Sequence, residues 1–246
     1  MNETIKIMKN HRSIRKYKDE MIPDEVIDNL IDVAQHAPNS INGQQSTIIV
    51  VKDKETKKKI SEYAGNQPWI EECPVFFVFV MDFYKTKLAC DKNHRIQTIT
   101  DSVESIMVGS VDIGLGMQNV ITAAESLGLG TVCIGGIRNS PSEMIKILDL
   151  PEYTFPVVGL CLGYPADNSA LKPRMGKEAY CHKEKYNKEA LTSVIDAYDE
   201  VISKYLAEGG REQKVNWSSS TSNAYQHVYF PKVYPTLKEQ GFKNEK

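Results

Sequence analysis

Apolar residues fall into four short continuous runs, separated by stretches in which they recur at helical spacing. A continuous apolar run of this length indicates a strand that is buried on both faces. The predicted strands cover residues 47–51, 75–80, 131–134 and 156–162, and the predicted helices cover 54–64, 101–127, 140–148 and 188–206, with an earlier helix inside 15–38. Strands that alternate with helices indicate an α/β or α+β sheet with helices packed over it.

Prolines and polar caps mark the ends of two of these helices. Pro23 suits the first turn of the earliest helix, and Pro38 ends it. Ser140 and Glu143 match a capping box with a proline at the first helical position. The long helix over 101–127 carries few charges, so it is predicted to be a core helix, a subunit contact, or both.

Composition and charge exclude several classes of protein. The chain has 246 residues, of which 41% are hydrophobic and 25% charged, as in an ordinary folded globular protein. Its 30 basic and 32 acidic residues give a net charge of −2, which removes the general electrostatic case for nucleic-acid binding. The first residues do not resemble a secretory signal, and the longest apolar run, 74–81, is shorter than the ~20 residues of a membrane helix. We therefore expect a cytoplasmic protein with no nucleic-acid and no membrane partner.

The five cysteines point to the same compartment. Their number is odd and no CxxC motif occurs, so we expect buried free thiols and no disulfides. Cys133 and Cys161 in particular sit inside apolar runs. Cys181-His182 is the one adjacent Cys/His pair, and without a second pair no metal site is predicted.

Two basic segments are the first candidates for chemistry. The segment His11-Arg-Ser-Ile-Arg15 carries two guanidinium groups, whose forks match the oxygens of a phosphate. Lys172 and Arg174 form the second segment, after the last predicted strand. Each segment alone is also compatible with a solvated surface. Four cations brought to one place would repel each other unless a dianion bound between them.

A polar loop and two glycines are the other candidates. The loop over 39–46 is rich in amides and hydroxyls, which either bind the edge of a heterocycle or satisfy their own backbone. Gly135 and Gly136 follow a predicted strand, and they either offer backbone N–H groups to a flat ligand or simply form a turn. No nucleophile, acid–base pair or metal-ligand cluster stands out in the sequence. A bound cofactor is therefore expected to carry the reaction.

Taken together, these segments resemble the FMN-dependent nitroreductases, and in particular their oxygen-insensitive NADPH nitroreductase and flavin reductase branch. The matching motifs occur in the family's order: His11-Arg-Ser-Ile-Arg15, the loop with Ser40, Asn42 and Gln44, then Gln67, Ala124-Glu-Ser-Leu-Gly-Leu-Gly130, Ile134-Gly-Gly-Ile-Arg-Asn139, Gly159-Leu-Cys-Leu-Gly-Tyr-Pro-Ala-Asp167 and Leu171-Lys-Pro-Arg174. The resemblance implies an α+β nitroreductase-like sandwich, in which a central, mostly antiparallel sheet has helices on both faces. It also implies an intimate homodimer with FMN at the interface, lined by residues of both subunits.

The same resemblance assigns roles to parts of the chain. Residues 1–208 are expected to form the FMN-binding core, and residues 209–246, which lack a clear core pattern, an extension packed on the core or on the dimer partner. The expected cofactor-binding residues are His11, Arg12, Ser13, Arg15, Ser40, Asn42, Gln44, Gln67, Ile134, Gly135, Gly136, Lys172 and Arg174. Arg211 and Lys214 either contact the nucleotide co-substrate or belong to an exposed loop.

The implied function is that of an FMN-dependent NAD(P)H oxidoreductase. Such an enzyme would reduce nitroaromatics, quinones or flavins by two-electron, ping-pong hydride transfer, with NADPH or NADH as co-substrate and no catalytic side chain. Two alternatives stay open at this point. One is an NADPH-dependent FMN reductase that supplies free reduced flavin, and the other is a flavin-binding sensor or store without turnover.

Overall fold

Four strands form one antiparallel sheet in the computed structural model, which describes residues 1–210 and 216–246. The strands are β1 (Ser46–Val51), β2 (Val75–Asp82), β3 (Gly130–Ile134) and β4 (Thr154–Gly163), and their order across the sheet is β1–β2–β4–β3. Every adjacent pair is antiparallel, as the family resemblance implied. The alternation of strands and helices alone was also compatible with a parallel sheet. β1 and β3 are therefore the two edge strands.

Ten α-helices accompany the sheet in the described part of the chain. They are α1 (Glu3–Lys9), α2 (Asp24–Gln35), α3 (Lys54–Tyr63), α4 (Pro68–Glu72), α5 (Tyr84–Lys92), α6 (Glu104–Ser126), α7 (Pro141–Ile147), α8 (Leu191–Glu208), α9 (Trp217–Tyr225) and α10 (Val233–Glu239). Short 3₁₀ turns occur at Ser40–Asn42 and at Gly135–Asn139, and both fall on segments that the sequence marks as candidates for ligand binding.

Helices cover both faces of the sheet. Neighbouring residues of a strand point to opposite faces, so a continuous apolar strand presents apolar side chains on both. Phe77 of β2 packs in one apolar cluster with Leu30 of α2 and with residues of α6. Its neighbour Phe76 packs in a second cluster with Ile60 of α3 and Met144 of α7. All residues of β2 are buried, and full burial of one such side chain contributes about 1.5–3 kcal/mol. The predicted sandwich is therefore confirmed.

The long helix α6 is a core helix that also presents apolar side chains to solvent. Ile113 and Val120 are buried against the sheet and α2. Four apolar residues spaced four apart are exposed along the opposite side, and we call them the α6 stripe: Val103, Met107, Val111 and Leu115. By length and composition alone α6 meets the minimum for a membrane-crossing helix, as core helices of globular proteins also do. The core-helix alternative is confirmed, and the stripe leaves room for a subunit contact as well.

Two compact units divide the chain. The first contains residues 1–169 and 230–246, and the second contains residues 170–229. In the first unit the C-terminal segment contributes Phe242, which is fully buried and meets Phe83 edge-on at 6.0 Å between ring centroids. In the second unit α8 and α9 pack together, with helix residue Tyr198 meeting Trp217 at 6.2 Å. These limits differ from the division at residue 209, which stays a prediction.

Two local predictions are wrong. Ser140 does not cap α7 with its side chain, because it directly follows the 3₁₀ turn and its ψ of 66° lies outside the extended range of an N-cap. Cys133 is exposed instead of buried, because β3 is an edge strand with less cover than a central one. Cys161 lies in the central strand β4 and is buried as predicted. All five cysteines are free thiols.

Candidate active site

The segment of residues 11–15, which we call the arginine segment, lies against the start of β3. Ser13 forms a parallel bridge with Thr131, and the Ile14 N–H donates to the Thr131 carbonyl at 2.8 Å. A β-carbon on Gly130 would come within 2.7 Å of the Ile14 side chain, so this close approach requires glycine. Backbone contacts therefore fix the segment beside β3 and give its side chains defined positions.

Two hydrogen bonds orient the Arg12 guanidinium at this edge. Its Nη2 donates to Asn10 Oδ1 at 3.0 Å, and its Nη1 donates to Asn168 Oδ1. The third nitrogen, Nε, is buried and has no hydrogen-bond partner among the described residues. A buried donor without a partner costs about 1–3 kcal/mol. An acceptor supplied by a ligand at this position would remove that cost.

An acidic residue at the end of α6 holds His11. The His11 Nδ1 lies 2.5 Å from Oε1 of Glu125, whose side chain is mostly buried. With Nδ1 engaged by Glu125, Nε2 is the ring nitrogen left to hydrogen-bond a ligand. The pKa of the Cys133 thiol on β3 is raised mainly by partial desolvation and, to a smaller extent, by the negative charge of Glu125. That thiol is therefore protonated at neutral pH and is a poor nucleophile.

At the other end of β3, the glycine turn meets the loop that contains Gln67. A β-carbon on Gly136 would collide with the Gln67 amide and would lie 2.5 Å from the Ala64 carbonyl oxygen. The Gln67 Nε2 donates to that same carbonyl at 2.8 Å, which leaves its Oε1 to accept from a ligand. The strand β3 thus ends where Gln67 and the two predicted glycines, Gly135 and Gly136, come together.

Unsatisfied polar atoms are concentrated around β3. Arg15 lies over the Trp69 indole, with its guanidinium carbon 5.5 Å from the ring centroid. The Trp69 Nε1 and the Thr131 Oγ1 are buried without a hydrogen-bond partner. Together with Arg12 Nε they make three of the four such atoms in the described residues. Buried polar groups are nearly always satisfied in proteins, by protein groups, ordered water or a ligand, so these donors and acceptors suit a site that binds a polar ligand.

The loop with Ser40, Asn42 and Gln44 lies at the opposite edge of the sheet. It leads directly into β1, whereas the arginine segment is bonded to β3, and β2 and β4 lie between them. Ser46 at the start of β1 pairs with Met81, and Thr131 of β3 is level with Val75, so the two places differ by three strands across the sheet and six residues along it. With strands about 4.8 Å apart and a rise of about 3.3 Å per residue, they are about 25 Å apart. One chain therefore does not bring these two groups of predicted ligands together.

The remaining predicted residues fall elsewhere. Lys172 and Arg174 lie in the second unit, where both are exposed and Arg174 Nη1 donates to the Lys172 carbonyl at 3.0 Å. Arg211 and Lys214 lie outside the described residues. Within residues 1–210 and 216–246, no cluster of His, Cys, Asp and Glu is arranged to hold a metal ion.

Comparison with known proteins identifies the family. The models of the nitroreductase family and of the nitroreductase family C-terminal domain match residues 8–164 and 172–245. The chain belongs to the nitroreductase family. In Bacillus subtilis strain 168, the FMN reductase (NAD(P)H) is 50% identical with 100% of both chains covered, and the FMN reductase (NADPH) is 39% identical with 98% and 99% covered. The solved structure of B. megaterium NfrA2 covers 100% of both chains at 49% identity, with a TM-score of 0.97.

The residues around β3 of this nitroreductase fit an FMN cofactor. Arg12 and His11 offer donors to a phosphate dianion, and the Nε of Arg12 is a donor without a partner among the described residues. Gln67 offers the free oxygen of its amide as an acceptor for a heterocycle, and Gly136 lets the backbone after β3 come close to this amide. These groups combine the anionic and the planar recognition that a flavin mononucleotide requires.

Sequence reasoning missed three residues that organise the site. Glu125 holds His11, Asn168 holds Arg12, and Asp112 of α6 accepts from the backbone of the polar loop. The strongest overlooked signal is Asp112, because it is the sole charged residue between Glu104 and Glu125 in an otherwise apolar helix. A carboxylate in such a helix indicates a buried polar partner.

Proposed function

We propose that this chain is an FMN-dependent oxidoreductase that takes electrons from NADPH or NADH and passes them to flavins, quinones or nitroaromatics. The observation that carries the proposal is the cluster of unsatisfied buried polar atoms on Arg12, Trp69 and Thr131, in a chain of the nitroreductase family. Two FMN reductases among its relatives support flavin and pyridine-nucleotide chemistry.

The cations of the chain are proposed to bind the FMN phosphate. Arg12 and His11 provide the first group, with Ser13 beside them, and Lys172 and Arg174 provide the second. In the sequence, Lys172 follows Asn168, the partner of Arg12, by four residues. A bound dianion would offset the mutual repulsion of these cations, which favours their assembly around one phosphate.

The ring system is proposed to lie along β3 towards its glycine end. Gln67 and the backbone after Ile134 would hydrogen-bond its polar edge, and the Arg15 guanidinium on Trp69 would supply positive charge nearby. Bound FMN supplies the acceptance and donation of hydride. The chain contributes binding and orientation, which suffices for catalysis when the cofactor carries the chemistry.

The active form is proposed to be a homodimer in which the loop 39–45 of a second copy completes each site. The separation of about 25 Å between this loop and the arginine segment of the same chain supports that arrangement. The α6 stripe supports it as well, because its members are 40–60% exposed and monomeric proteins rarely expose contiguous apolar patches without a partner. Ile5 and Met8 of the adjacent α1 are also about half exposed.

An anaerobic absorbance titration tests the proposed function. Purified protein loaded with FMN is titrated with NADPH and, separately, with NADH. We expect rapid loss of the visible flavin absorbance, and its recovery when a quinone is added. Bound FMN that neither nucleotide bleaches would favour a sensor or store and contradict the enzyme proposal. A protein that binds no FMN would contradict the cofactor proposal itself.

A second candidate function is the supply of free reduced FMN. The names of the two B. subtilis relatives favour it, since both are FMN reductases. Steady-state rates with free FMN, a quinone and a nitroaromatic as acceptors distinguish the two functions. A kcat/KM for free FMN that exceeds the others would support the flavin reductase, and the reverse order would support a reductase of quinones or nitro compounds.

Nucleotide choice and compartment complete the proposal. Arg211 and Lys214 are proposed to contact the 2′-phosphate of NADPH, so their replacement by alanine should raise the KM for NADPH more than the KM for NADH. The five free cysteines support a reducing, cytoplasmic location.

A further inference from the structure

Asp112 is a buried carboxylate that neither the core nor the β3 side of the site explains. It is 5% exposed, in a helix whose buried positions are otherwise mostly apolar or small. We propose that Asp112 is a positioning residue, which holds the loop 39–45 in the shape that lets Ser40, Asn42 and Gln44 reach the cofactor. The inference rests on the proposed function, because the loop is a proposed part of the FMN site.

Asp112 joins the two ends of this loop. The Ser40 N–H lies 3.2 Å from each carboxylate oxygen, and Gln45 Nε2 donates to Oδ2 at 2.6 Å. Gln45 is itself 3% exposed, so the second bond lies in dry surroundings, where a charge-assisted hydrogen bond is strong. Because the two donors are five residues apart in the chain, the carboxylate clamps the beginning of the loop to its end.

Between these ends the backbone adopts a strained conformation. Ile41, Asn42 and Gln44 have φ values of 50°, 57° and 51°. Left-handed φ is uncommon for residues other than glycine, and it is an outlier for a β-branched one. Ile41 is 96% exposed, so packing of its side chain does not hold it there. Such strain persists only where surrounding bonds over-determine the conformation.

Other contacts of the loop do not replace the clamp. A cavity of about 270 Å³ lies beside it, and Asn39, Gln44 and Asp112 are among its lining residues. The bonds from Gly43 N–H to the Ser40 carbonyl and from Gln44 N–H to Asn39 Oδ1 lie inside the loop, so they shape it without attaching it to the helices. The Asp82 N–H donates to the Gln45 carbonyl at 3.0 Å, which ties the end of the loop to β2 but does not hold Ser40 at its beginning. Asp112 bonds to both ends, so the position of Ser40 relative to Gln45 depends on its carboxylate.

Three variants test the inference through the dissociation constant of FMN. Asp112→Asn preserves shape but removes the charge and turns an amide towards Gln45, so the Kd for FMN should rise at least ~tenfold. Gln45→Glu brings two carboxylates together and should weaken FMN binding by a similar factor. The double variant Asp112→Asn/Gln45→Glu restores a carboxylate–amide pair in the reverse sense. It should return the Kd to within about threefold of the wild-type value.

Asp82→Asn is the matched control. Asp82 is 8% exposed, and its carboxylate accepts from Thr47 Oγ1 at 2.6 Å and from the Lys85 N–H, which both lie outside the loop. Its backbone N–H donates to the Gln45 carbonyl, and the substitution leaves that backbone bond in place. We expect this variant to lower the melting temperature of the FMN-free protein about as much as Asp112→Asn does, while the Kd for FMN and the visible circular dichroism of bound FMN stay at wild-type values.

Recovery of both the Kd and the circular dichroism in the double variant would support a positioning role. An unchanged Kd in Asp112→Asn, or a folded double variant without recovery, would overturn it. If Asp112→Asn does not fold, Gln45→Met carries the same expectation, because it removes one donor and leaves the carboxylate in place. Wild-type protein in the same assay separates the two proposals: FMN bleached by NAD(P)H sustains the enzyme whatever the variants do, and a wild type that binds no FMN overturns both.

Discussion

The two edges of the sheet hold their parts of the candidate site in different ways. At the β3 edge, the arginine segment is bonded backbone to backbone, and Gly130 and Gly136 admit neighbours that a β-carbon would exclude. At the β1 edge, the loop 39–45 is strained, exposed and attached to α6 through the carboxylate of Asp112. Backbone pairing fixes the arginine segment at the first edge, whereas at the second edge one carboxylate holds the beginning of the loop to its end.

This difference indicates how each edge responds to mutation. Backbone pairing and glycine contacts tolerate side-chain changes elsewhere. At β3, FMN binding should therefore be weakened by substitutions that fill the site or remove its positive charges. A loop held by a carboxylate should instead be displaced as a whole when that carboxylate changes. Since both edges are proposed to meet on one FMN only in a dimer, separating the subunits should affect both.

The largest effect is expected from a charge on the α6 stripe. Val111→Glu places a carboxylate on a side chain that is 60% exposed, so folding of the single chain should be unaffected. Burial of that charge between subunits would be costly, and the Kd of the dimer should rise at least ~100-fold, about 2.7 kcal/mol. Sedimentation equilibrium measures the dissociation, and FMN fluorescence measures the accompanying loss of cofactor.

Leu88→Glu is the control for that change. Leu88 is 50% exposed on α5, a different helix from the stripe, and its replacement should leave the dimer intact. If Val111→Glu remained a dimer with full FMN occupancy, the idea that the two edges meet across the α6 stripe would be wrong.

The next effect is expected at the glycine end of β3. Gly136→Ala places a methyl group 2.5 Å from the Ala64 carbonyl oxygen and against the Gln67 amide, and a backbone oxygen has little freedom to move. We expect a loss of about 1–3 kcal/mol in the free energy of unfolding, with weaker FMN binding because Gln67 is displaced. Urea denaturation and flavin fluorescence give the two values.

Gly135→Ala distinguishes this contact from a general intolerance of the turn. Its β-carbon would first meet the end of the Arg138 side chain, at 3.2 Å, which has more freedom to shift. The loss of stability should therefore be clearly smaller than for Gly136→Ala. Equal losses would mean that the close approach at Gly136 does not control this end of the site.

A smaller effect is expected from removing phosphate ligands. The double variant Arg12→Ala/Arg174→Ala should raise the Kd for FMN at least tenfold, about 1.4 kcal/mol, because both guanidinium groups are proposed to bind one dianion. Retention of FMN after dialysis measures the change, and Arg95→Ala, at an exposed arginine, is the control. Unchanged occupancy in the double variant would refute the assignment of the phosphate.

The positions of the strands could be predicted from local sequence patterns, but their relative direction could not. Each strand lies within two residues of its predicted bounds, because each is a continuous apolar run. Five helices were not predicted. Three of them, α1, α5 and α9, bury no residue and so carry no apolar periodicity, and the other two, α4 and α10, have only five and seven residues. The apolar pattern also left open whether the sheet is parallel, and the antiparallel arrangement came from the family resemblance.

The site was less predictable, because its geometry depends on contacts between distant parts of the chain. Phosphate-binding residue types are recognisable in a short segment, as at Arg12. The residues that hold the site in place cannot be recognised in this way, because Asp112, Glu125 and Asn168 bond to partners 72, 114 and 156 residues away. The separation of the loop from the arginine segment follows from the order of the strands, which sequence spacing does not specify.

The smallest effect is expected where the C-terminal segment meets Asp101, because stability and cofactor binding should separate there. Lys246 Nζ donates to Asp101 Oδ2 at 2.8 Å, and Lys243 Nζ lies 3.3 Å from Oδ1. The bond from Lys246 is the main cause that lowers the pKa of Asp101 below its ordinary value of 3.8. Lys243 adds to this effect, and desolvation opposes it. A lowered pKa in the folded state stabilises the fold above pH 3.8, and that stabilisation is lost as the pH falls through the folded-state pKa.

Asp101→Asn should therefore lower the urea midpoint slightly at pH 7, and its difference from the wild type should shrink as the pH is brought below 3.8. Lys246→Gln should reproduce part of this loss, because it removes the main partner. FMN affinity at pH 7 should be unchanged in both variants. A fall in affinity as large as that of the Arg12 and Arg174 variants would mean that the C-terminal segment communicates with the cofactor, and that the two edges are not the only parts of the described structure on which the site depends.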